Sequence, residues 1–150
     1  MKIKQIFYDF DGVMTNNQVL LTEDGTESVF VNRSDGLAVS YFKKMRIKQC
    51  IISTETNPVV SKRAEKLKIP CYQGISNKLE EIKKLLTNSD LHMDDVAYVG
   101  NDLNDLEVMQ YLPNTFCPKD SHPEILKVAQ HTLKSSGGEG VIMDLYNTLT

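Results

Sequence analysis

Asp9 and Asp11 stand two apart at the end of the apolar run Ile3 to Asp9, with Gly12 directly after them. In an extended segment, side chains two apart point the same way, so both carboxylates face one spot. Held close, they repel each other unless a cation or a proton lies between them. A hard, oxygen-seeking ion such as Mg²⁺ meets that need; a solvated acidic turn after a strand is the other reading. A second cluster, Gly100-Asn101-Asp102-Leu103-Asn104-Asp105, also follows an apolar run and opens a helical pattern. Acidic residues there serve equally well as helix starters. Between the two clusters, Ser53 and Thr54 follow Cys50-Ile51-Ile52 and offer hydroxyls and backbone amides to a phosphate. Lys78 opens a further helical pattern, either reaching the same point or standing as a solvated helix-face lysine.

These groups must be positioned by a chain of 150 residues, 41% hydrophobic and 25% charged, with 8 Gly and 5 Pro. That length and composition fit one soluble globular domain over 1–150 and exclude disordered, collagen-like and mucin-like classes. Lys and Arg total 17 against 20 Asp and Glu, a net charge of -3 with no basic stripe, so nucleic acid is not an expected partner. Cys50, Cys71 and Cys117 form no C-x-x-C pair and read as reduced, buried small hydrophobes. No apolar run approaches the ~18 residues of a membrane span, and the N-terminus lacks a signal-like apolar stretch. The expected setting is cytoplasmic, without a membrane partner.

Strand and helix patterns alternate along the chain. Strands are expected at Ile3 to Asp9, Lys48 to Ser53, Pro70 to Gln73, Asp95 to Gly100 and Thr115 to Cys117. A hairpin is expected from Gln18 to Leu21 and Ser28 to Val31, turning at Asp24-Gly25. Helical patterns cover Asp35 to Met45, Asn57 to Lys68, Asn77 to Leu86 and Leu103 to Tyr111. Another starts at Ser121-His122-Pro123-Glu124 by capping-box spacing, and a glycine turn at Gly137 leads a last one to Asn147. Such alternation predicts a doubly wound parallel sheet, whose ligands bind beyond the carboxyl ends of the strands. Asp9, Ser53 and Asn101 all fall at that edge.

In this order, Asp9-x-Asp11-Gly12-Val13-x-Thr15, Ser53, Lys78 and Gly100-Asn101-Asp102-x-Asn104-Asp105 resemble the four motifs of the haloacid dehalogenase superfamily. Only a hairpin follows the first motif, and Asn32-x-x-Asp35-Gly36, Asp120-x-His122-Pro123 and Gly137-Gly138-Glu139-Gly140-Val141 look like its capless branch. That branch holds the 3-deoxy-octulosonate 8-phosphate and nonulosonate 9-phosphate phosphatases, and related assembly domains fused to sialate cytidylyltransferases. The resemblance implies a Mg²⁺-dependent phosphatase with Asp9 as nucleophile, Asp11 as general acid and base, and Ser53 and Lys78 on the phosphate. It implies Mg²⁺ held by Asp9, Asp11, Asn101 and Asp102. Here Asn101 stands where the family usually carries Asp.

Glu55, Arg63 and Lys66 are similar to positions that contact the sugar acid in the nine-carbon group, with Thr54 beside them; a solvated basic helix face is the alternative for Arg63 and Lys66. The substrate expected is a nonulosonate 9-phosphate. The eight-carbon phosphatase and a non-catalytic assembly domain are the alternatives. A homotetramer is expected, its subunits supplying walls through the hairpin and through the tail from Gly137 to Met143, unless that tail packs on its own core.

Overall fold

The structure, a computed structural model, describes residues 2–150. In chain order, β1 (Gln5–Tyr8) is followed by a hairpin of β2 (Leu20–Leu21) and β3 (Glu27–Ser28), then by α1 (Arg33–Lys44) and β4 (Lys48–Ile52). Next come α2 (Pro58–Leu67), β5 (Cys71–Tyr72), α3 (Lys78–Thr87), β6 (Val96–Val99) and α4 (Leu106–Tyr111). β7 (Asn114–Cys117), α5 (Pro123–Val128), β8 (His131–Thr132) and α6 (Val141–Leu149) complete the order. Six strands form one parallel sheet, β5-β4-β1-β6-β7-β8, and β2 pairs antiparallel with β3 alone. This is the doubly wound α/β fold that the alternation predicts.

The strands read as continuous apolar runs because both faces are covered. Ile6, Tyr8, Ile51, Ala97, Val99 and Phe116 face one core with α1, α2 and α6. Their neighbours Phe7, Cys50, Ile52, Val96, Tyr98 and Cys117 face the other, with α3, α4 and α5. Starting from central β1, the chain moves outward through β4 and β5, then returns to β6 on the other side of β1. Asp9 leaves the sheet at that switch in strand order, between the ends of β4 and β6.

Several local expectations shift. The first hairpin strand narrows to Leu20–Leu21, and the second is Glu27–Ser28 rather than Ser28 to Val31, since Thr22 N–H to Thr26 O already closes the turn. The segment expected as one helix from Leu103 begins as a 3₁₀ turn over Leu103–Asp105. His122 rather than Ser121 caps α5, its Nδ1 accepting the Glu124 N–H, while Ser121 Oγ donates to the Pro118 carbonyl. Asn57 and Asn77 cap α2 and α3 as their spacing indicates.

The tail expected to reach a neighbour's cleft packs on its own core instead. Val141, Ile142 and Leu145 are buried against α1, and buried Asp35 accepts the Ile142 N–H at 3.1 Å. Burial pushes that carboxyl up to about 6. No helix among the described residues is long and apolar enough to cross a membrane.

Candidate active site

Beyond β1 the chain coils back on itself: the Phe10 carbonyl accepts the N–H groups of Val13, Met14 and Thr15. Gly12 takes φ +83, and a Cβ there would lie 1.8 Å from a terminal atom of the Asn101 amide. No L side chain fits that position. Thr15 Oγ1 accepts the Gly12 N–H at 3.2 Å and donates to Asp11 Oδ1 at 3.4 Å. The coil thus turns the two acids apart in environment. Asp9 is buried, whereas Asp11 is half-buried at the mouth. Burial raises the Asp11 carboxyl, with the Glu55 charge adding to it and the Thr15 hydrogen bond opposing. A carboxyl raised in this way holds its proton more readily than an ordinary aspartate, which favours a general-acid role.

Lys78, the first residue of α3, is buried, and its Nζ lies 2.8 Å from both Asp9 Oδ1 and Asp105 Oδ1. Asp105 also accepts from Tyr98 Oη and from the backbone N–H groups of Asn101 and Asp102, at 2.9 and 3.2 Å. Gly100 permits this packing, since a Cβ there would meet Asp105 Cγ at 2.7 Å. Against the cost of burial, Lys78 and these donors hold the Asp105 carboxyl below its usual range. Lys78 stays charged, because its two carboxylate partners outweigh its own burial. For Asp9, burial and the Asp105 charge win over Lys78 and push its carboxyl well up. A further positive charge at its second oxygen would return Asp9 to the ionised form that a nucleophile requires.

That second oxygen faces an oxygen-rich corner. One end of the Asn101 side-chain amide lies 2.9 Å from Asp9 Oδ2 and 2.9 Å from the Asp11 carbonyl oxygen. Mg²⁺ takes oxygen ligands at about 2.0–2.1 Å in an octahedron, whose adjacent oxygens are then about 2.9 Å apart. The spacing fits a Mg²⁺ held by Asp9, the Asp11 carbonyl and the Asn101 amide oxygen. Among the described residues, no three His, Cys, Asp or Glu side chains gather as a metal site. The corner is built instead from one carboxylate, one amide and one backbone carbonyl.

The remaining site residues divide. Ser53, at the end of β4, is buried, and its Oγ accepts the Glu55 N–H at 3.1 Å. Thr54 Oγ1 accepts from Asn104 Nδ2 at 3.3 Å, tying the β4 and β6 loops together. Glu55 caps the turn into α2 through the Thr56 and Asn57 N–H groups and lines a cavity of about 660 Å³ with Thr26 and Glu27 of the hairpin. Arg63 and Lys66 line a different cavity, of about 550 Å³, with Arg33, Lys43 and Lys68. Asp102 spends one carboxylate oxygen on the Leu103 N–H at 2.7 Å. The structure therefore brings together Asp9, Asp11, Lys78 and Asn101, and sets Arg63 and Lys66 elsewhere.

Two participants escape a reading of residue types. Tyr98 in β6 looks like core, yet its hydroxyl donates to Asp105. The tail clamps the first loop: Gly138 N–H donates to the Val13 carbonyl at 3.0 Å, and Asn32 Nδ2 donates to the Gly138 carbonyl at 3.4 Å.

Known proteins resemble this chain in sequence and fold. Residues 39–145 match the model of the haloacid dehalogenase-like hydrolases. The 3-deoxy-D-manno-octulosonate 8-phosphate phosphatase KdsC of Escherichia coli K12 is 30% identical over 148 residues, covering 98% of this chain and 79% of that protein. The crystal structure of the 3-deoxy-D-manno-octulosonate 8-phosphate phosphatase from Yersinia pestis superposes with a TM-score of 0.92 at 29% identity, over 97% of this chain and 79% of that one. The enzyme of the same name from Moraxella catarrhalis, in complex with magnesium, phosphate and KDO, gives 0.93 at 25% identity, over 98% and 85%. With a loop carrying a buried aspartate, a buried lysine and an oxygen corner at the switch of a doubly wound sheet, the chain belongs to the haloacid dehalogenase-like hydrolases, as a phosphatase of their capless branch.

Proposed function

We propose that the chain is a Mg²⁺-dependent phosphomonoesterase for sugar-acid phosphates, with a nonulosonate (sialic-acid type) 9-phosphate as its preferred substrate in a cytoplasmic setting. The observation that carries the reaction is Asp9, with one oxygen fixed on Lys78 and the other turned to the Asn101 amide and the Asp11 carbonyl. Asp9 attacks phosphorus in line, and the bond from phosphorus to the sugar oxygen breaks as an aspartyl-phosphate forms. Asp11 gives its proton to the departing sugar oxygen, then takes one from the water that cleaves the aspartyl-phosphate. Ser53 and the amides beside it hold the phosphoryl oxygens, and Lys78 balances charge. Asp9, the Asp11 carbonyl, Asn101 and Asp102 would hold a Mg²⁺ at the corner, which would supply positive charge to the phosphoryl group.

Nine-carbon selectivity rests on Glu55, Arg63 and Lys66. Because Arg63 and Lys66 line a cavity other than that of Glu55, one substrate can touch all three if the basic cavity comes from a second copy of the chain. The hairpin exposes Val19, Leu20 and Leu21, and Phe30 beyond it is 82% exposed, an apolar surface suited to assembly into a homotetramer. The free thiols Cys50, Cys71 and Cys117 suit a reducing compartment. The octulosonate 8-phosphate is the second reading, favoured by the names of the relatives.

Phosphate release from both sugar-acid phosphates decides between them, and turnover of neither would favour an assembly role. Ala at Glu55, Arg63 or Lys66 is expected to raise KM for the nonulosonate 9-phosphate on the order of tenfold, sparing p-nitrophenyl phosphate. Equal losses on both substrates would refute selectivity. Light scattering at micromolar concentration is expected to give about four times the 17.0 kDa chain mass; a fully active monomer would overturn the shared site.

A further inference from the structure

The backbone of Asn101 is fixed on both sides. Its N–H donates to Asp105 Oδ2 at 2.9 Å, and its carbonyl accepts the His122 N–H at 2.9 Å. The side chain is buried, and only rotation about its last bond exchanges what it presents. An amide has two ends of nearly equal shape and opposite hydrogen-bonding character. With nitrogen inward, it donates to Asp9 Oδ2 and to the Asp11 carbonyl at 2.9 Å each, and its oxygen meets the donors behind it. With oxygen inward, three oxygens converge, and the nitrogen is turned against those donors. The second arrangement is unfavourable unless a cation or a proton lies among the oxygens, and an aspartate at this position has no NH₂ to offer.

Building on the cation site just described, we propose that the Asn101 amide is a two-position rotor that competes with the divalent cation for Asp9 and Asp11. Its NH₂ closes the corner when no cation is bound, and its carbonyl oxygen replaces the NH₂ when one enters. Two consequences distinguish this from a plain loss of one ligand charge. Folding does not require the cation, because the acceptors of the corner are satisfied by the chain itself. Cation entry must break two buried hydrogen bonds, so affinity is lowered by the competing contacts as well as by the missing charge.

The test compares wild type with Asn101→Asp, each in chelator and in Mg²⁺, by thermal unfolding and by Mg²⁺ titration calorimetry. In chelator the variant is expected to melt below wild type, because a third carboxylate joins Asp9 and Asp105 with only Lys78 to offset them. In Mg²⁺ the variant is expected to gain more melting temperature than wild type, and to bind Mg²⁺ on the order of tenfold more tightly. The side-chain NH₂ resonances of wild type that vanish in Asn101→Asp identify the rotor by NMR. They are expected to be protected from solvent exchange in chelator and to shift on adding Mg²⁺.

A variant as stable as wild type in chelator would overturn the closing role of the NH₂. Resonances unmoved while calorimetry records Mg²⁺ binding would overturn the rotor and leave the phosphatase reading standing. Mg²⁺ that binds to and stabilises neither chain would overturn both. Phosphate release measured alongside keeps the two apart, since an active enzyme with a static amide fails only the rotor.

Discussion

Asp9→Asn is expected to abolish phosphate release, with turnover falling on the order of 10⁴-fold or more, as for other enzymes stripped of a catalytic group that acts in concert with its neighbours. An amide oxygen is a poor nucleophile towards phosphorus and forms no stable acyl phosphate. The fold is expected to survive, because the amide oxygen can still accept from Lys78 Nζ and from the Phe10 N–H, both 2.8 Å from Asp9 Oδ1. Burial and Asp105 already disfavour charge on Asp9, so losing that charge relieves some repulsion. Acid quench during turnover separates the chemical role from a binding role: wild type should carry covalent phosphate and the variant none. Turnover near that of wild type, or phosphate trapped on the variant, would sink the assignment.

Lys78→Met is expected to have the largest effect on stability. The ammonium lies 2.8 Å from an oxygen of each of two buried carboxylates, and Met of similar length leaves them facing each other without a cation. Removing one member of a buried ionic group typically costs about 3–5 kcal/mol, because the partners keep their desolvation and lose their compensation. The pH dependence follows from Asp9. Its carboxyl, already raised, rises further without Lys78, so the folded variant binds a proton that the unfolded chain has released. Stability of the variant therefore falls as pH climbs from the ordinary carboxylate range through the raised value. The deficit against wild type should widen as pH rises through that range and shrink on acidification. Urea unfolding at several pH values reads this directly, and a deficit independent of pH would mean that Lys78 stabilises by packing alone.

The parallel sheet was legible because Cys50-Ile51-Ile52 and Val96-Ala97-Tyr98-Val99 are apolar on every residue, as strands covered on both faces must be. The polar residues that end these runs fall at one edge, which makes that edge readable too. Other features depend on partners distant in sequence. His131 and Thr132 form a strand although both are exposed, since the backbone of Phe116 and Cys117 pairs with them and the Phe116 ring stacks on His131 at 5.0 Å. Glu55 and Arg63 stand eight apart, and nothing in that spacing indicates that they line separate cavities. At the oxygen corner, the Asp11 carbonyl belongs to the backbone, and every residue type carries one. The amide of Asn101 is visible in the sequence, but the choice of which end it presents depends on the groups that surround it.

The clamp between the tail and the first loop also bears on the order in which this protein is made. Asp9 and its loop leave the ribosome well before the residues that hold them. Asn32 to Gly138 spans 106 positions and Asp35 to Ile142 spans 107. Contacts of such sequence separation are the last that a growing chain can form. Until Gly138 has been added, Asp9 sits on a loop whose closing bonds do not exist, beside a lysine and an aspartate that are themselves newly synthesised. The loop that carries Asp9 thus gains its closing bonds only once Gly138 has been added. A translation product stalled before that point is expected to be inert rather than weakly active, and so unable to hydrolyse phosphate esters indiscriminately in the cell.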